Sequence, residues 1–384
     1  MVLIVGAGFS TEASLPTTND LSSRFLDAPR PDHRDQLSPA LRSEIDKSIS
    51  KELSRFWTTV FGYVPELDHP TLEDHFTLID LAANTGHQLG VQYSPRKLRA
   101  IRRFSIHRAF QILDSSFQYS DVINCLLREL QKKTALSLVC INWDIVLEKH
   151  LRRLPAAFDY GTAVEPLEPY GPLHAAGTVP LLKLHGSTNW VYCDSCRRLF
   201  ASVLEEGKSA LHRSVFLEGD DFYLMGLKKL SAQLKKIQND NRDCPKCHAT
   251  LTARVGTFSY RKDYAIQQFQ TTWQQAHAVL RDSAVWLFVG YSMPEADFEF
   301  RHLLKSAELS GRAPHPKRIQ VVLKDDCEAG KRFKRFFGME REYIHQDGLA
   351  SWVAASFPSW LTQQKHSINA CDRDAGNEPR LRED

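Results

Sequence analysis

Apolar residues gather along the chain into short runs that end in turn residues: Val2 to Val5, Leu136 to Ile141, Leu181 to Leu184, Ala284 to Val289 and Ile319 to Leu323. Each run has the length of a strand and is largely apolar on both faces, and most are partly β-branched. That is the pattern of a strand covered on both faces. Between the runs the spacing changes. Leu72, Phe76, Ile79 and Ala83 fall on one helical face. Leu98, Ile101, Phe110, Leu113 and Phe117 mark a second amphipathic helix, and Val122, Leu126 and Leu130 a third. Strands alternating with helices predict an α/β fold built on an open parallel sheet.

The strands are unevenly spaced. Too much chain separates the first run from Leu136 for a single crossover, so residues 27–130 read as a helical insertion. Residues 193–254 contain two Cys pairs and read as a small zinc-ribbon insertion. The sheet domain is then assembled from residues 1–26, 131–192 and 255–362. Past that point periodicity is lost and charge gathers, which predicts a mobile tail over 363–384.

Composition narrows the class. Of 384 residues, 42% are hydrophobic and 25% charged, which excludes a disordered or fibrous chain. The net charge of +3 sets up no field that demands an anionic membrane, and nucleic acid is not directly indicated. No apolar run approaches the roughly 18 residues of a membrane span, and no basic-then-apolar leader follows Met1. A cytoplasmic setting is expected. There the eight cysteines stay reduced, as metal ligands or buried thiols.

Chemistry collects where the apolar runs end. The first leads into Gly6-Ala7-Gly8-Phe9-Ser10. A strand running straight into Gly-x-Gly lets the backbone approach a pyrophosphate and the next helix offer its amides, as in Rossmann-like folds. A tight strand-to-helix turn would use the same glycines, and Thr11 stands where the full fingerprint has a third. No acidic residue follows at the ribose-binding position, which disfavours hydride transfer. The second run ends in Asn142-Trp143-Asp144, placing an amide and a carboxylate for a ribose hydroxyl and a water, or as helix N-caps. The third ends in His185-Gly186-Ser187, whose imidazole suits a general base near neutral pH or a structural hydrogen bond.

The fourth run ends in Gly290-Tyr291-Ser292-Met293-Pro294-Glu295-Ala296-Asp297. Ser292 and Glu295 have capping-box spacing with Pro294 in the first turn, predicting a helix start there. Ser292 caps it, touches ligand, or both; Asp297 and Glu299 read as solvent-facing. In an open parallel sheet all these strand ends face one crevice.

Cys193-x-x-Cys196 and Cys244-x-x-Cys247 are two knuckles that can offer four thiolates to one tetrahedral Zn²⁺. Such a site is closed and structural. The adjacent His248 is an alternative to one cysteine, with the four sulfurs preferred, and residues 197–243 must loop out. Cys125, Cys140, Cys327 and Cys371 read as buried or incidental. Two basic patches stand out. One covers residues 228–262; the other is Lys331, Arg332, Lys334 and Arg335 beside Phe333, Phe336 and Phe337. Each reads as a solvated helix face, the second alternatively as a subunit contact.

Taken in order, these motifs resemble the sirtuin (Sir2-like) family over about residues 1–325. The series is Gly-Ala-Gly-Phe-Ser followed by Pro16, Asn142-x-Asp144, His185-Gly186-Ser187 close before the Cys pairs, and Gly290-Tyr291-Ser292. The Gly-Tyr-Ser-Met-Pro-Glu-Ala-Asp turn resembles the bacterial antiphage-defence branch, whose members hydrolyse NAD⁺. The resemblance implies an NAD⁺ glycohydrolase releasing nicotinamide and ADP-ribose, with a structural Zn²⁺. It implies Asn142 and His185 as catalytic, and Asp144 reads as the third catalytic residue, orienting the Asn142 loop. They share the NAD⁺ contacts with Gly6, Ala7, Gly8, Phe9, Ser10, Glu12, Thr17, Gly290, Tyr291 and Ser292. It further implies a homo-oligomer, with a partner ATPase or nuclease subunit or an infection-derived trigger.

Three departures set the chain apart from deacetylating sirtuins. Pro16 leads into Thr17-Thr18-Asn19-Asp20 rather than Asp/Phe-Arg. Gly256 to Arg261 replaces the Phe-Gly-Glu segment that helps hold an acyl-lysine peptide. Lys324 or Asp325 stands for the Asn near the adenine ribose. The alternatives are an NAD-dependent protein-lysine deacylase and a non-catalytic NAD or ADP-ribose-binding subunit.

Overall fold

A run that is apolar on both faces must lie inside a sheet with cover on each side. The computed structural model describes residues 1–27, 38–64, 69–154, 157–167, 178–201, 217–237, 243–260, 266–310, 317–338 and 343–363. Most of the expected tail, from 364 onward, lies outside the described residues. The strands are β1 (Val2–Val5), β2 (Ser137–Cys140), β3 (Phe158–Asp159), β4 (Val164–Pro166), β5 (Val179–Lys183), β6 (Trp190–Cys193), β7 (Arg198–Ala201), β8 (Leu251–Thr252), β9 (Val285–Val289), β10 (Arg318–Val322) and β11 (Ile344–His345). Seven of them form one parallel sheet, in the order β11-β10-β9-β1-β2-β5-β3. The other four make a small mixed sheet, β4-β7-β6-β8.

Short helices come first: α1 (Ala7–Ser10) and α2 (Thr18–Ser23). Four longer ones follow, α3 (Pro39–Phe61), α4 (Leu72–Thr85), α5 (Pro95–Ser116) and α6 (Asp121–Lys133). After β2 come α7 (Val146–Leu151), α8 (Gly219–Leu224), α9 (Lys228–Ile237) and α10 (Gln267–Asp282). The last are α11 (Phe298–Leu309), α12 (Cys327–Phe337) and α13 (Gly348–Ala355). Their starts follow local chemistry: Ser38, Thr71, Ser94 and Ser120 each accept the amide three residues on, satisfying an orphan donor. No helix among the described residues is long and apolar enough to cross a membrane.

Side-chain alternation sorts the core. Leu3, Val5, Leu138, Leu181 and Leu287 face one layer, covered by α6, α7 and α13. Val2, Ile4, Val139, Leu182 and Phe288 face the other, covered by α10, α11 and α12. A fully buried side chain of this size contributes about 1.5–3 kcal/mol, so the central strands anchor both layers. A third cluster joins α3, α4 and α5, with Leu217, Phe222, Leu230 and Leu234 from the chain between the Cys pairs packed against it. Helix α6 packs with the sheet through Ile123, Leu126, Leu127 and Leu130 rather than with that helical layer.

Three local expectations are corrected. The helix predicted at Pro294 begins at Phe298. Gly290 and Met293 both adopt left-handed backbone, φ 63° and 53°, which carries the chain through a turn before a helix can start. Asp297, read as solvent-facing, is buried and accepts a hydrogen bond from the Tyr291 hydroxyl at 3.4 Å. The aromatic residues of the second basic patch turn inward: Phe333 is fully buried in the sheet's core, and Phe336 and Phe337 pack against it. Of the neighbouring cations, Lys331 and Arg335 are exposed, whereas Arg332 is half-buried and donates to the Ser292 carbonyl at 2.9 Å.

Candidate active site

From β1 the chain builds the sheet outward through β2 and β5 on one side, then returns to lay β9 and β10 on the other, so the strand order reverses beside β1. Crevices of open α/β sheets form at such a switch point, beyond the carboxyl ends of the strands. A cleft of about 350 Å³ opens there, within the size range of small-ligand sites. Its walls include Ala7 and Gly8 after β1, Asn142 and Asp144 after β2, His185 after β5, and Gly290, Tyr291 and Ser292 after β9. Glu12 and Thr17 line it as well. Gly6, Phe9 and Ser10 do not. The Phe9 ring is fully buried in the sheet's core, and Ser10 lies behind the wall.

The glycines answer to a close approach of two turns. The Gly8 amide donates to the Gly290 carbonyl at 2.8 Å, and the Gly6 amide to the Val289 carbonyl at 3.1 Å. A Cβ on Gly8 would sit 2.8 Å from the Gly290 Cα, and one on Gly290 only 2.0 Å from the Phe9 nitrogen. Backbone against backbone leaves no room for a side chain on either turn. The Gly8 amide is therefore spent inside the protein rather than on a ligand.

Behind the wall a polar relay fixes the second turn. Asn142 Nδ2 donates to Ser10 Oγ at 3.0 Å, and Ser10 Oγ donates to Asp144 Oδ2 at 2.7 Å. Asp144 Oδ1 also accepts the Val146 amide at 3.0 Å, so it does stand at the entry to α7. The relay leaves the Asn142 side-chain oxygen as its remaining acceptor. The Trp143 carbonyl takes the Thr188 amide at 2.8 Å, and its indole donates to the Gly256 carbonyl at 2.8 Å. The same ring packs 4.5 Å from Phe258 and 5.7 Å from Phe110, which keys the turn into the helical layer. Phe258 and Glu73, from outside the sheet, close that end of the cleft.

His185 is buried at 6% exposure, its ring 6.5 Å from Trp273, and its carbonyl accepts the Gly256 amide at 3.0 Å. Two residues earlier, Lys183 ends β5 fully buried. It occupies the sheet face where its neighbours are Leu181 and Cys140. Its ammonium donates to the Asp144 carbonyl and lies 3.5 Å from Glu148 Oε1. Glu148 in turn accepts from Tyr160 at 3.3 Å and Ser187 at 3.4 Å. Burial pulls the Lys183 ammonium down, but the Cys140, Glu148 and Asp144 groups outweigh it and hold it above its ordinary value. Burial raises the Glu148 carboxyl against the pull of Lys183, and pushes the Cys140 thiol up to about 12.

Among the described residues of the lining, carboxylates outnumber cations: Glu12, Glu73, Asp144, Asp297 and Asp326 against Lys324. Such a wall favours positive charge in the cleft. Sequence reasoning missed Glu73, Phe258, Asp297, Lys183 and Glu148. The one visible signal was Lys183, a charge set inside an otherwise apolar run; the rest depend on tertiary contacts.

The four cysteines of the two knuckles come together. Cys193 and Cys247 sulfurs are 3.4 Å apart, Cys196 and Cys244 sulfurs 3.6 Å, and all four lie within 4.8 Å of one another. Zinc–sulfur bonds of about 2.3 Å in a tetrahedron need sulfurs spaced close to this. The Cys196 and Lys246 amides point at the Cys193 and Cys244 sulfurs, 3.5 and 3.4 Å away, which suits thiolates. The donor set fits Zn²⁺ with no open position, and His248, carried past the cluster at φ 60°, is not part of it.

No family model matches the chain, and no curated protein matches it. Solved structures do match. "Sir2-p53 peptide-NAD+" is 12% identical, covering 93% of this chain and 92% of that one, with a TM-score of 0.40. "Structural Basis for the Mechanism and Regulation of Sir2 Enzymes" is 13% identical, covering 94% and 92%, with a TM-score of 0.39. "Sir2 bound to acetylated peptide" is 13% identical, covering 93% and 92%, with a TM-score of 0.38. Likeness at this level establishes neither family nor activity.

Proposed function

We propose that the cleft hydrolyses the nicotinamide–ribose bond of NAD⁺, giving nicotinamide and ADP-ribose. The observation that carries this reading is that Asn142 and His185, from the ends of two paired parallel strands, line one cleft at the switch point of the sheet. The acidic lining supports it. The bond breaks with its electron pair leaving on a pyridinium nitrogen, so the leaving group becomes neutral and positive charge develops on the sugar. Negative charge in the lining near the sugar stabilises that charge more in the transition state than in the ground state.

In this reading Asn142 holds the ribose hydroxyl and the attacking water through its side-chain oxygen. Asp144 and Ser10 hold Asn142, and are positioning residues. His185 accepts the proton that the water loses as its oxygen bonds to the sugar. Ala7, Glu12, Thr17, Gly290, Tyr291 and Ser292 form the walls that seat the dinucleotide. Gly6 and Gly8 act by keeping the two turns together, and Phe9 by anchoring α1. Zinc, held by Cys193, Cys196, Cys244 and Cys247, closes the small sheet and takes no part in the chemistry.

The wider role follows from the motif resemblance: NAD⁺ depletion in antiphage defence, in the cytoplasm, by a homo-oligomer with an ATPase or nuclease partner. The test is incubation of the purified chain with NAD⁺ alone and separation of products. Nicotinamide and ADP-ribose are expected, and Asn142→Ala and His185→Ala should lower the rate by about 10²- to 10⁴-fold. Turnover that requires an acyl-lysine peptide would make the protein a deacylase. Binding without turnover would make it a sensing subunit.

A further inference from the structure

We propose that Lys183, with its counter-ion Glu148, is a positioning residue for this cleft: its ammonium grips the Asp144 carbonyl and so holds the Asn142-Trp143-Asp144 turn in the register that serves the reaction. This role rests on the proposed NAD⁺ hydrolysis for its chemistry and on geometry for the positioning.

Lys183 stands where the fold asks for an apolar residue. Its strand neighbours on that face are Leu181 and, across the ladder, Cys140. Both side chains of the pair are wholly buried, and one Glu148 oxygen, Oε2, has no hydrogen-bond partner among the described residues. A buried ion pair with an unsatisfied oxygen is a poor source of stability, and apolar groups of equal volume commonly do as well or better. Its placement therefore needs another reason, and its contacts supply one. Among the described residues, the ammonium is the link from the end of β5, two residues before His185, to the carbonyl of Asp144 on the neighbouring turn. The Thr188 amide, three residues past His185, ties the same segment to the Trp143 carbonyl, and the Cys140 thiol reaches the Asn142 carbonyl more weakly at 3.6 Å, so Lys183 is what fixes the Asp144 end of the turn. Lys183 thus couples the segment carrying the imidazole to the segment carrying the amide, from the side away from the ligand.

The decisive variant is Lys183→Met/Glu148→Gln, which removes both charges and keeps the volume, with Lys183→Leu/Glu148→Met as a second form. Lys183→Met alone should melt early, because it strands the Glu148 charge. The double variants should melt cooperatively near the wild-type temperature. With NAD⁺ as substrate, KM should stay within about threefold while kcat falls by about 10²-fold, the effect of a small misplacement of a reacting group. The Val146 amide, held by Asp144 Oδ1, should exchange faster with deuterium. Wild-type kcat and wild-type Val146 exchange in a folded double variant would overturn the proposal. So would failure of both double variants to fold, which would assign the pair to stability alone. If the wild type itself releases no nicotinamide, the hydrolase reading fails, and Val146 exchange alone then decides whether Lys183 holds the turn.

Discussion

His75 provides a sharp test of the helical layer. Its ring is fully buried, stacked edge-on among Phe25, Phe56 and Phe76. The Trp57 indole donates to Nδ1 at 2.9 Å, and an indole N–H can only donate. The ring proton is therefore on Nε2, which donates to Ser105 Oγ at 2.7 Å, and that hydroxyl donates on to the Ile101 carbonyl at 2.7 Å. A second proton on Nδ1 would face the indole proton. Burial holds this imidazole at about 3, against 6.5 when exposed. Between those two values the unfolded chain binds a proton that the folded chain refuses, so stability is complete above about pH 6.5 and is lost as pH falls toward 3. The loss is about 1.4 kcal/mol per pH unit, or about 2 kcal/mol by pH 5. His107, also buried and held at about 3 by burial and then by Arg108, adds a similar amount. Urea unfolding from pH 7 to pH 4 reads this directly. His75→Gln can keep both hydrogen bonds without titrating. Its deficit against the wild type should shrink by about 1.4 kcal/mol for each unit below pH 6.5. Parallel stability curves for the two proteins would refute the reasoning.

Three further outcomes are expected. Purified protein should carry one tightly bound zinc by elemental analysis, and Cys247→Ser or chelation should remove it and lower the melting temperature; unchanged melting after complete chelation would count against a structural ion. Gly290→Ala should prevent a native fold, since its Cβ would meet the Phe9 nitrogen at 2.0 Å, whereas Gly86→Ala, with nothing within 4 Å, should cost only about 1 kcal/mol for its left-handed backbone; comparable melts for the two would contradict the interlocked turns. Ser10→Ala should cost about 1–3 kcal/mol by leaving the buried Asp144 short of a donor, and should lower kcat as Asn142 loses its anchor; full activity would show that the relay does not orient the amide.

The sheet could be read in the chain because its central strands are buried on both faces, so Val2 to Val5 and Ala284 to Val289 are apolar without interruption. The strand-end motifs were readable for the same reason, since a parallel sheet sends all its carboxyl ends one way. Other features were not local. Strands β3, β8 and β11 are two residues long and exist only through their partners. Val122, Leu126 and Leu130 announce a helix but not that α6 covers the sheet. Asp297 reads as polar surface until the left-handed turn at Met293 carries it inward. Glu73 reaches the cleft only because α4 docks beside β2, through Phe76 against Trp143 at 6.1 Å.

Strand β1 occupies the middle of the sheet, yet its two neighbours arrive late: Val2 pairs with Ser137 on one side and with Trp286 on the other. Until those segments are made, an emerging chain carries a fully apolar strand with two bare edges, a template for association with other chains. Its contacts are long-range, which slows folding. A fragment ending before Val285 would lack one wall of the cleft and leave Gly8 with nothing to dock on, so any attempt to express the first part alone should yield aggregates, and the intact chain should depend on chaperones during synthesis.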